Sequence, residues 1–325
     1  MILAGDIGGT KTRLALFDSG LSLIGEATFA SREHSGLAEV LRAYLSAGGP
    51  RIERACFGVA GPVRRGRAST TNLPWVVDAQ ELSRDLAIGS VSIINDLEAN
   101  AYGIPALRPE ESICLSSGAP DAEGNAALIS AGTGLGEAGL YWDGARHRPF
   151  ACEGGHAGFS PRDEVEIDLL RYLISRFGQV SWERVVSGPG LVNIYEFLRD
   201  TGRGEEPPWL ARQLSSEDPG AVITRAAMDG SSPLCEQALD RFVSLYGSEA
   251  ANLALKVMAT GGVWVGGGMA PKIIGRMRDG SFMESFWAKG RMRPLLEAMP
   301  VRVIVNDRTA LLGAARYAAL AAEES

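Results

Sequence analysis

Apolar positions in the first third of the chain change between two spacings. Short apolar runs at 2–4, 13–17 and 21–29 are separated by turn residues, which predicts an antiparallel β-meander. Over 37–45 apolar residues instead recur every three or four positions, which predicts one amphipathic helix. The pattern then predicts a strand at 55–60, a helix at 78–86 with Asp78 as its N-cap, a strand at 91–94, and a helix from Asn95-Asp96 to about 102. This order predicts a mixed sheet with helices on its faces.

The pattern then restarts. Strands are predicted at 113–115, 127–131, 138–142, 261–268 and 301–305, and helices at 163–177, 189–198, 221–228, 232–258 and 309–320. The segment 201–219 is rich in Gly, Pro, Glu and Ser, which predicts a mobile insertion. A unit of strand, glycine turn and strand occurs twice, around Gly8 and around Gly134. Two such units predict two related half-folds that face each other.

Length, charge and cysteine content narrow the class of protein. A chain of 325 residues is long enough for about two domains. The net charge is −7 and the longest basic run, Arg64-Arg65-Gly66-Arg67, is short, so we expect neither nucleic acid nor a membrane as partner. The four cysteines form no CxxC pair, which disfavours a zinc knuckle. No apolar leader follows a basic start, so a cytoplasmic location is expected.

The two glycine turns are candidate phosphate sites. Gly5–Thr10 and Ser130–Gly136 both offer backbone N–H groups and a threonine hydroxyl, and the glycines let an anion approach the backbone. Asp6 would repel a phosphate directly but suits a hydrated magnesium ion beside one. Together with Gly266–Gly268, the turns favour a magnesium–nucleoside triphosphate held between two domains. The alternative is that each is an ordinary glycine-rich hairpin. No P-loop or Rossmann glycine motif is present.

Asp96 is the candidate catalytic residue. It follows a predicted strand and opens a helix, and ligands of α/β sheets lie at such strand ends. A carboxylate there can accept the proton of a substrate hydroxyl while the oxygen attacks a γ-phosphate. The alternative is that Asp96 only caps the helix.

A second polar group predicts recognition of hydroxyls. Glu153 and His156 are separated by two glycines, and Glu183 precedes the turn Ser187–Gly190. Two acids, an amide and an imidazole suit the hydroxyl groups of a neutral polyol and suit an anionic substrate poorly. Zinc binding lacks enough neighbouring Cys and His. As alternatives, Glu183 is a surface acid and His156 a structural histidine.

These motifs, in this order from about Leu3 to Ala315, resemble the bacterial glucokinase family of the actin/hexokinase/Hsp70 superfamily. The resemblance implies a two-domain actin-like (ribonuclease H-like) α/β fold with mixed sheets flanked by helices and an interdomain cleft. It implies a small domain of 1–106 with 298–325, a large domain of 107–297, and a homodimer. It also implies ATP-dependent phosphorylation of D-glucose to glucose 6-phosphate, with Mg²⁺.

The resemblance also assigns roles to residues. Asp96 matches the catalytic base of the family. The positions that match its glucose-binding residues are Asn95, Glu153, His156 and Glu183, and Asn72 is added as a candidate sugar contact, with a turn before Pro74 as its alternative. The expected nucleotide contacts are Gly5, Asp6, Ile7, Gly8, Gly9, Thr10, Gly132, Thr133, Gly134 and Gly267. Asp6 is also the expected magnesium ligand, through water, and the role of Lys11 is open.

Other functions are compatible with the same residues. The sugar could be mannose, fructose or an N-acetylhexosamine, because one or two contacts set that choice, and ADP or polyphosphate could be the donor. In another class, the chain could be a sugar-responsive regulator or an actin-like ATPase that transfers no phosphate to sugar. The cysteine-rich zinc motif of the related repressor/open-reading-frame/kinase family is missing, and we expect no DNA-binding extension before the first strand.

Overall fold

The structure is a computed structural model that describes residues 1–45, 51–70 and 73–321. Its strands are β1 Ile2–Ile7, β2 Lys11–Phe17, β3 Leu23–Ala30, β4 Arg54–Val59, β5 Val63–Arg64, β6 Arg67–Ser69, β7 Val76–Asp78, β8 Ser90–Asn95, β9 Ser112–Ser116, β10 Ala126–Ala131, β11 Leu135–Trp142, β12 His147–Cys152, β13 Gly262–Gly266 and β14 Val301–Ile304. Its helices are α1 Leu37–Tyr44, α2 Ala79–Leu86, α3 Asp96–Gly103, α4 Glu164–Phe177, α5 Gly188–Asp200, α6 Pro208–Ser216, α7 Pro219–Met228, α8 Pro233–Val257, α9 Ile274–Arg278, α10 Ser281–Trp287, α11 Arg293–Glu297 and α12 Thr309–Leu320.

These elements group into two compact units. Unit 1 takes the described residues of Met1–Glu111, Arg148–Ala151 and Asn306–Ser325. Unit 2 takes Ser112–His147 and Cys152–Val305. Each unit has its own main sheet and its own core.

Unit 1 is built on a mixed sheet in the order β3-β2-β1-β4-β8. The first three strands form the predicted meander, and β1, β4 and β8 run parallel. One apolar cluster joins the sheet to α1 and α2, and a second joins it to α3 and α12. The α3–α12 contact is close: a Cβ on Gly313 would overlap the carbonyl oxygen of Ala99, and one on Gly103 would overlap that of Thr309. Glycines at this crossing therefore fix how tightly the last helix packs on unit 1.

Unit 2 repeats the same local arrangement around a larger core. The strands that lie wholly in this unit are ordered β11-β10-β13-β14-β9, with β10 antiparallel to β11 and parallel to β13. In unit 1 the pairs β1–β2 and β1–β4 have the same two relations. The predicted internal repeat of strand, glycine turn and strand is therefore confirmed. The core of unit 2 is gathered around α8, whose buried face carries Phe242, Tyr246 and Ala250.

The secondary structure predicted from the sequence pattern was wrong for one segment, and several short elements were not predicted. Residues 201–219, predicted as a mobile insertion, contain the regular helix α6. Pro208 occupies its first turn, and Leu210 is fully buried against the core. The short strands β5–β7 and the helices α9–α11 were not predicted, because elements of two to seven residues carry too few positions to show a period. Within the described residues, no helix combines the length and apolar character that crossing a membrane requires.

Candidate active site

The carboxyl edge of the sheet in unit 1 brings three predicted site residues together. Ile7 pairs with Val59, and Val59 pairs with Asn95, so β1, β4 and β8 end at the same level. Asp6 lies one residue before the end of β1, and Asp96 begins α3 directly after β8. Both aspartates are half-buried. The strand ends therefore place two carboxyl groups at one edge of one sheet.

Helix α3 is capped by Asn95, which leaves Asp96 another role. The Asn95 Oδ1 accepts the N–H groups of Leu97 at 2.9 Å and Glu98 at 3.3 Å. Its Nδ2 donates to the carbonyl oxygen of Gly61 at 3.2 Å. The alternative in which Asp96 serves as the N-cap is therefore wrong, because Asn95 satisfies the first-turn donors.

Two glycines, Gly5 in β1 and Gly58 in β4, allow close packing at this edge of the sheet. Gly58 was not expected from the sequence. A Cβ on Gly58 of β4 would lie 2.8 Å from the Cβ of Ala99 and 3.5 Å from the Cα of Asp96. A Cβ on Gly5 would lie 2.6 Å from the Phe57 ring. Glycine at 58 thus lets the first turn of α3 lie directly on β4. Its only sequence signal is a glycine inside a buried strand.

The environment of Asp6 disfavours its charged form. Burial, with a smaller contribution from the negative charge of Asp96, raises the pKa of the Asp6 carboxyl to about 6, against the opposing effect of the Arg13 guanidinium. A divalent cation beside Asp6 would stabilise the carboxylate and reduce the repulsion from Asp96. This edge is thus suited to a cation held by Asp6.

The first glycine turn is held from behind by a buried serine. Ser31 donates its N–H to the carbonyl oxygen of Thr10 at 3.0 Å and its hydroxyl to that of Gly8 at 2.8 Å. The Thr12 hydroxyl lies 3.0 Å from the same Oγ. With these carbonyls engaged by Ser31, the turn keeps a fixed shape beside Asp6. Ser31 lies 21 residues beyond Thr10 in the sequence, and no local motif marks it.

The second glycine turn, in unit 2, has its own support. The N–H of Gly132 donates to the carbonyl oxygen of Gly134 at 2.8 Å, and the carbonyl of Gly132 accepts the N–H of Gly188 at 2.8 Å. The buried Tyr246 hydroxyl accepts the N–H of Ala131 at 3.0 Å and lies 3.2 Å from the carbonyl oxygen of Gly266. One hydroxyl thus links the ends of β10 and β13 behind the turn.

Replacing Tyr246 by phenylalanine is expected to weaken nucleotide binding. The change leaves the Ala131 N–H and the Gly266 carbonyl without this buried partner, at a cost of about 1–3 kcal/mol. We expect the KM for ATP to rise about three- to tenfold, measured by steady-state kinetics. Tyr195→Phe is the matched control, since it removes the hydrogen bond to Glu206 elsewhere in unit 2. An equal rise of KM in both variants would contradict a local role for Tyr246.

A cavity of about 1030 Å³ opens beside the second turn, within unit 2. Gly268 lines this cavity, and the residue before it, Gly267, has a φ of +84° and lies so close to β10 that a Cβ would overlap the carbonyl oxygen of Ala131. The walls combine backbone N–H groups, apolar surface and charged groups, contributed by Gly132, Thr133, Gly188, Asp218, Arg225, Met228, Gly268, Met269, Lys272 and Ile273, among others. The volume and mixed lining are typical of a site for a ligand of nucleotide size. Of these residues, Gly132, Thr133 and Gly268 belong to motifs expected from the sequence, whereas the wall formed by α7 was not expected.

The predicted hydroxyl-binding residues of unit 2 lie on neighbouring segments. A 3₁₀ turn over Gly154–His156 folds Glu153 and His156 back toward each other, with 3.9 Å between Oε2 and Nε2. Both side chains are more than 60% exposed, so they are open to a ligand. The following residues pair with the segment that carries Glu183, since Trp182 N–H donates to the carbonyl of Ala157 at 2.9 Å.

Glu183 contacts the second glycine turn as well. Its Oε2 accepts the N–H of Leu135 at 3.0 Å, and a Cβ on Gly134 would lie 2.5 Å from that oxygen. The carboxyl group is half-buried, and its Oε2 already has a backbone partner. Glycine at 134 therefore lets the Glu183 carboxyl group contact the second glycine turn closely.

The structure assigns no role to two of the positions considered from the sequence, Asn72 and Lys11. Asn72 lies outside the described residues. Lys11 is exposed at the start of β2, and its role stays open. No group of three or more Cys, His, Asp or Glu residues that could hold a metal ion occurs in the part of the chain the structure describes.

Comparisons with known proteins agree with this arrangement. A family model described as Glucokinase matches residues 3–321. A glucokinase of Nostoc sp. is 43% identical, over 98% of this chain and 99% of that protein. The crystal structure of a glucokinase from an Antarctic psychrotroph superposes with a TM-score of 0.82 at 31% identity, covering 98% of both chains. A ROK family glucokinase from Streptomyces griseus, in complex with glucose and AMPPNP, has a TM-score of 0.67 at 23% identity over 98% of both chains.

The last of these likenesses bears on the fold alone. The fold is that of the actin-like sugar kinases, and the predicted α/β class with mixed sheets is confirmed. The chain belongs to the glucokinase family.

Proposed function

We propose that this protein transfers the γ-phosphoryl group of ATP to the 6-hydroxyl of D-glucose, which yields glucose 6-phosphate and ADP. Membership of the glucokinase family supports the reaction class. The observation that carries the chemistry is the placement of Asp6 and Asp96 at one sheet edge beside the turn Gly8–Thr10. One carboxylate suits a proton acceptor and the other suits a cation.

In unit 1, Asp96 is the proposed base. It takes the proton of the attacking hydroxyl, and Asn95 contributes a hydrogen bond to the sugar while it holds the first turn of α3. The N–H groups of Gly9 and Thr10 donate to phosphate oxygens, whereas that of Gly8 donates to the carbonyl oxygen of Lys11 at 3.0 Å and closes the turn. Asp6 would hold Mg²⁺ through water, and a bound ion would supply positive charge to neutralise the phosphates.

In unit 2, the second glycine turn and the cavity beside it bind the nucleotide. Gly132 and Thr133, which line the cavity, face the phosphates, and Gly134 and Gly267 stay predicted nucleotide contacts in the adjoining turns. The apolar surface of Met228 is suited to a flat nucleotide base.

Glu153 and His156 hold sugar hydroxyls, and Glu183 contributes a third polar contact. The exposed pair 3.9 Å apart supports this assignment, because two such groups can share one hydroxyl-rich ligand. Asn72 stays a predicted sugar contact. The cytoplasmic location, the homodimer, and the domains 1–106 with 298–325 and 107–297 stay predictions as well.

Glu153→Gln and His156→Ala are expected to raise the KM for glucose by about 10- to 100-fold each, with kcat changed far less. Each change removes one or two hydrogen bonds to hydroxyls, worth about 1.5–3 kcal/mol when a charged group is involved. Steady-state kinetics at saturating ATP measures both constants. His147→Ala, at the far end of β12, is the matched control. An unchanged KM in both site variants would remove this pair from the sugar site.

Sugar-dependent ADP release tests the function as a whole. We expect ADP release from ATP to depend on glucose and to yield one glucose 6-phosphate per ADP. Mannose, fructose and N-acetylglucosamine in the same assay distinguish the other hexose kinases, and ADP or polyphosphate in place of ATP tests the donor. Release of ADP that is independent of every sugar would point to an actin-like ATPase instead.

A further inference from the structure

Unit 2 contains a pair of buried carboxyl groups that the proposed mechanism does not use. Glu137 on β11 is 1% exposed and Glu249 on α8 is 0% exposed. The two side chains are within hydrogen-bonding reach of each other. Among the described residues, no N–H, hydroxyl or thiol group donates to either carboxyl oxygen of Glu137 or to Oε1 of Glu249.

Two carboxyl groups can hydrogen-bond only if one of them carries a proton. The negative charge is more stable on Glu249 than on Glu137. Asn252 Nδ2 donates to Glu249 Oε2 at 2.7 Å, and the Lys256 ammonium lies 3.6 Å from Glu249 Oε1. Burial and the neighbouring Glu249 raise the pKa of Glu137 to about 8. Glu137 is therefore the protonated partner near neutral pH and donates to Glu249.

The Glu137 carboxyl lies directly against the segment that carries the proposed sugar residues. A Cβ on Gly154 would overlap Glu137 Oε2, so the glycine Cα rests on the carboxyl group. The Cys152 thiol donates to the Glu137 carbonyl oxygen at 3.5 Å. A Cβ on Gly155 would likewise overlap the carbonyl oxygen of Leu135, two residues earlier on β11. The 3₁₀ turn between Glu153 and His156 is thus seated on β11 at this carboxyl.

We propose that Glu137 is a positioning residue: the proton it shares with Glu249 keeps the Gly154–His156 turn in place, and thereby holds Glu153 and His156 for the sugar. Loss of that proton puts two carboxylates together in a buried space, and the resulting repulsion displaces the turn. This inference rests on the proposed function, since it uses the sugar contacts of Glu153 and His156.

Other charged groups near the pair set the design of the test. Lys256 and Glu249 face Glu137 from α8, and the Tyr246 hydroxyl and the Cys152 thiol also lie within its electrostatic reach. Lys289 donates to Asn252 Oδ1 at 2.6 Å, and burial lowers its pKa to about 8. Two groups near the turn therefore titrate over the same pH range, and the experiment has to separate them.

Glu137→Gln separates them, because its amide can still donate to Glu249 but cannot lose a proton near pH 8. In the unaltered protein we expect the KM for glucose to rise about tenfold between pH 7 and pH 9, with the KM for ATP little changed. In Glu137→Gln the KM for glucose should stay within about twofold over that range. Glu164→Gln, at an exposed acid of α4, is the matched control and should behave like the unaltered protein.

Amide hydrogen exchange in the absence of sugar provides a second measurement. The N–H groups of His156 and Ala157 close the turn at 3.0 and 2.8 Å. At pH 7 these amides should exchange at about the same rate in the unaltered protein and in Glu137→Gln. At pH 9 they should exchange about tenfold faster in the unaltered protein than in the variant. The comparison at equal pH cancels the intrinsic effect of base. It needs no catalysis.

The outcomes are distinct. An alkaline rise of the glucose KM that persists in Glu137→Gln assigns it to Lys289 and overturns the proposal, as does equal amide exchange at pH 9. If Glu137→Gln does not fold, Glu249→Gln must move the midpoint of the KM change, and an unmoved midpoint overturns the proposal too. Absence of glucose-dependent turnover at every pH, with the exchange difference intact, defeats the proposed function but retains the contact between the pair and the turn.

Discussion

Asp96→Asn should lower kcat by about 10²–10⁴-fold, the range expected when a general base is removed. Asparagine has the same shape as aspartate, and Asn95 still caps α3, so the helix and its position on β4 should be kept. An amide cannot accept the proton of the attacking hydroxyl. The dissociation constant of glucose should therefore stay within about threefold, because binding does not need that transfer.

Single-turnover kinetics and calorimetric titration with glucose measure the two quantities separately. Asp85→Asn is the matched control, since Asp85 is an exposed acid on α2 in the same unit. Its ion pair with Arg42 is long, at 3.7 Å, so its loss should cost little. The control should retain full turnover. A kcat of Asp96→Asn close to that of the control would exclude Asp96 as the base, and a loss of glucose affinity equal to the loss of kcat would make it a binding residue.

The parts of this molecule that were predictable from sequence are those in which neighbouring residues act together. The glycine turns at Gly8 and Gly134 interrupt apolar runs, so their position between paired strands follows from local pattern. Helix α12 begins and ends at the predicted residues, since its apolar positions recur over three turns. The Asp78 cap was predicted for the same reason, and its Oδ1 accepts the N–H groups of Gln80 and Glu81.

The parts that were not predictable depend on residues far apart in the chain. Ser31 holds the first turn and Tyr246 the second, but they lie 21 and more than 100 residues from the turns they support. Only the folded chain brings Glu249 to Glu137. The choice between Asn95 and Asp96 as N-cap also needed backbone geometry, because both are good capping residues and stand side by side.

Asp6 shows why a site residue can oppose the stability of its own fold. In an unfolded chain its carboxyl group would ionise at the ordinary pKa of 3.8, whereas burial and Asp96 raise that pKa to about 6 in the folded protein. The folded state thus binds the proton more tightly, and Asp6 reduces stability as pH rises from about 4 to 6. Above pH 6 the reduction is constant. A shift of this size corresponds to about 3 kcal/mol at most.

Asp6→Asn is therefore expected to have two opposite effects. Without nucleotide or Mg²⁺, its free energy of unfolding at pH 7.5 should exceed that of the unaltered protein by about 1–3 kcal/mol, and the difference should vanish near pH 4. At the same time kcat/KM for magnesium-ATP should fall by about 10²–10³-fold, because a neutral amide holds a hydrated cation poorly. Denaturant titrations at several pH values and steady-state kinetics measure the two effects.

The pairing of the two effects is what distinguishes a cation site from a structural acid. If Asp6 served the fold, its replacement would lower stability and activity together. If Asp6 were only a destabilising buried acid, its replacement would raise stability and leave activity unchanged. Asp85→Asn should change neither quantity, and raising Mg²⁺ tenfold should recover part of the activity in Asp6→Asn but not in Asp96→Asn, since only the first variant is expected to lose affinity for the ion. Equal responses of the two variants to Mg²⁺ would contradict the division of roles between the carboxyl groups.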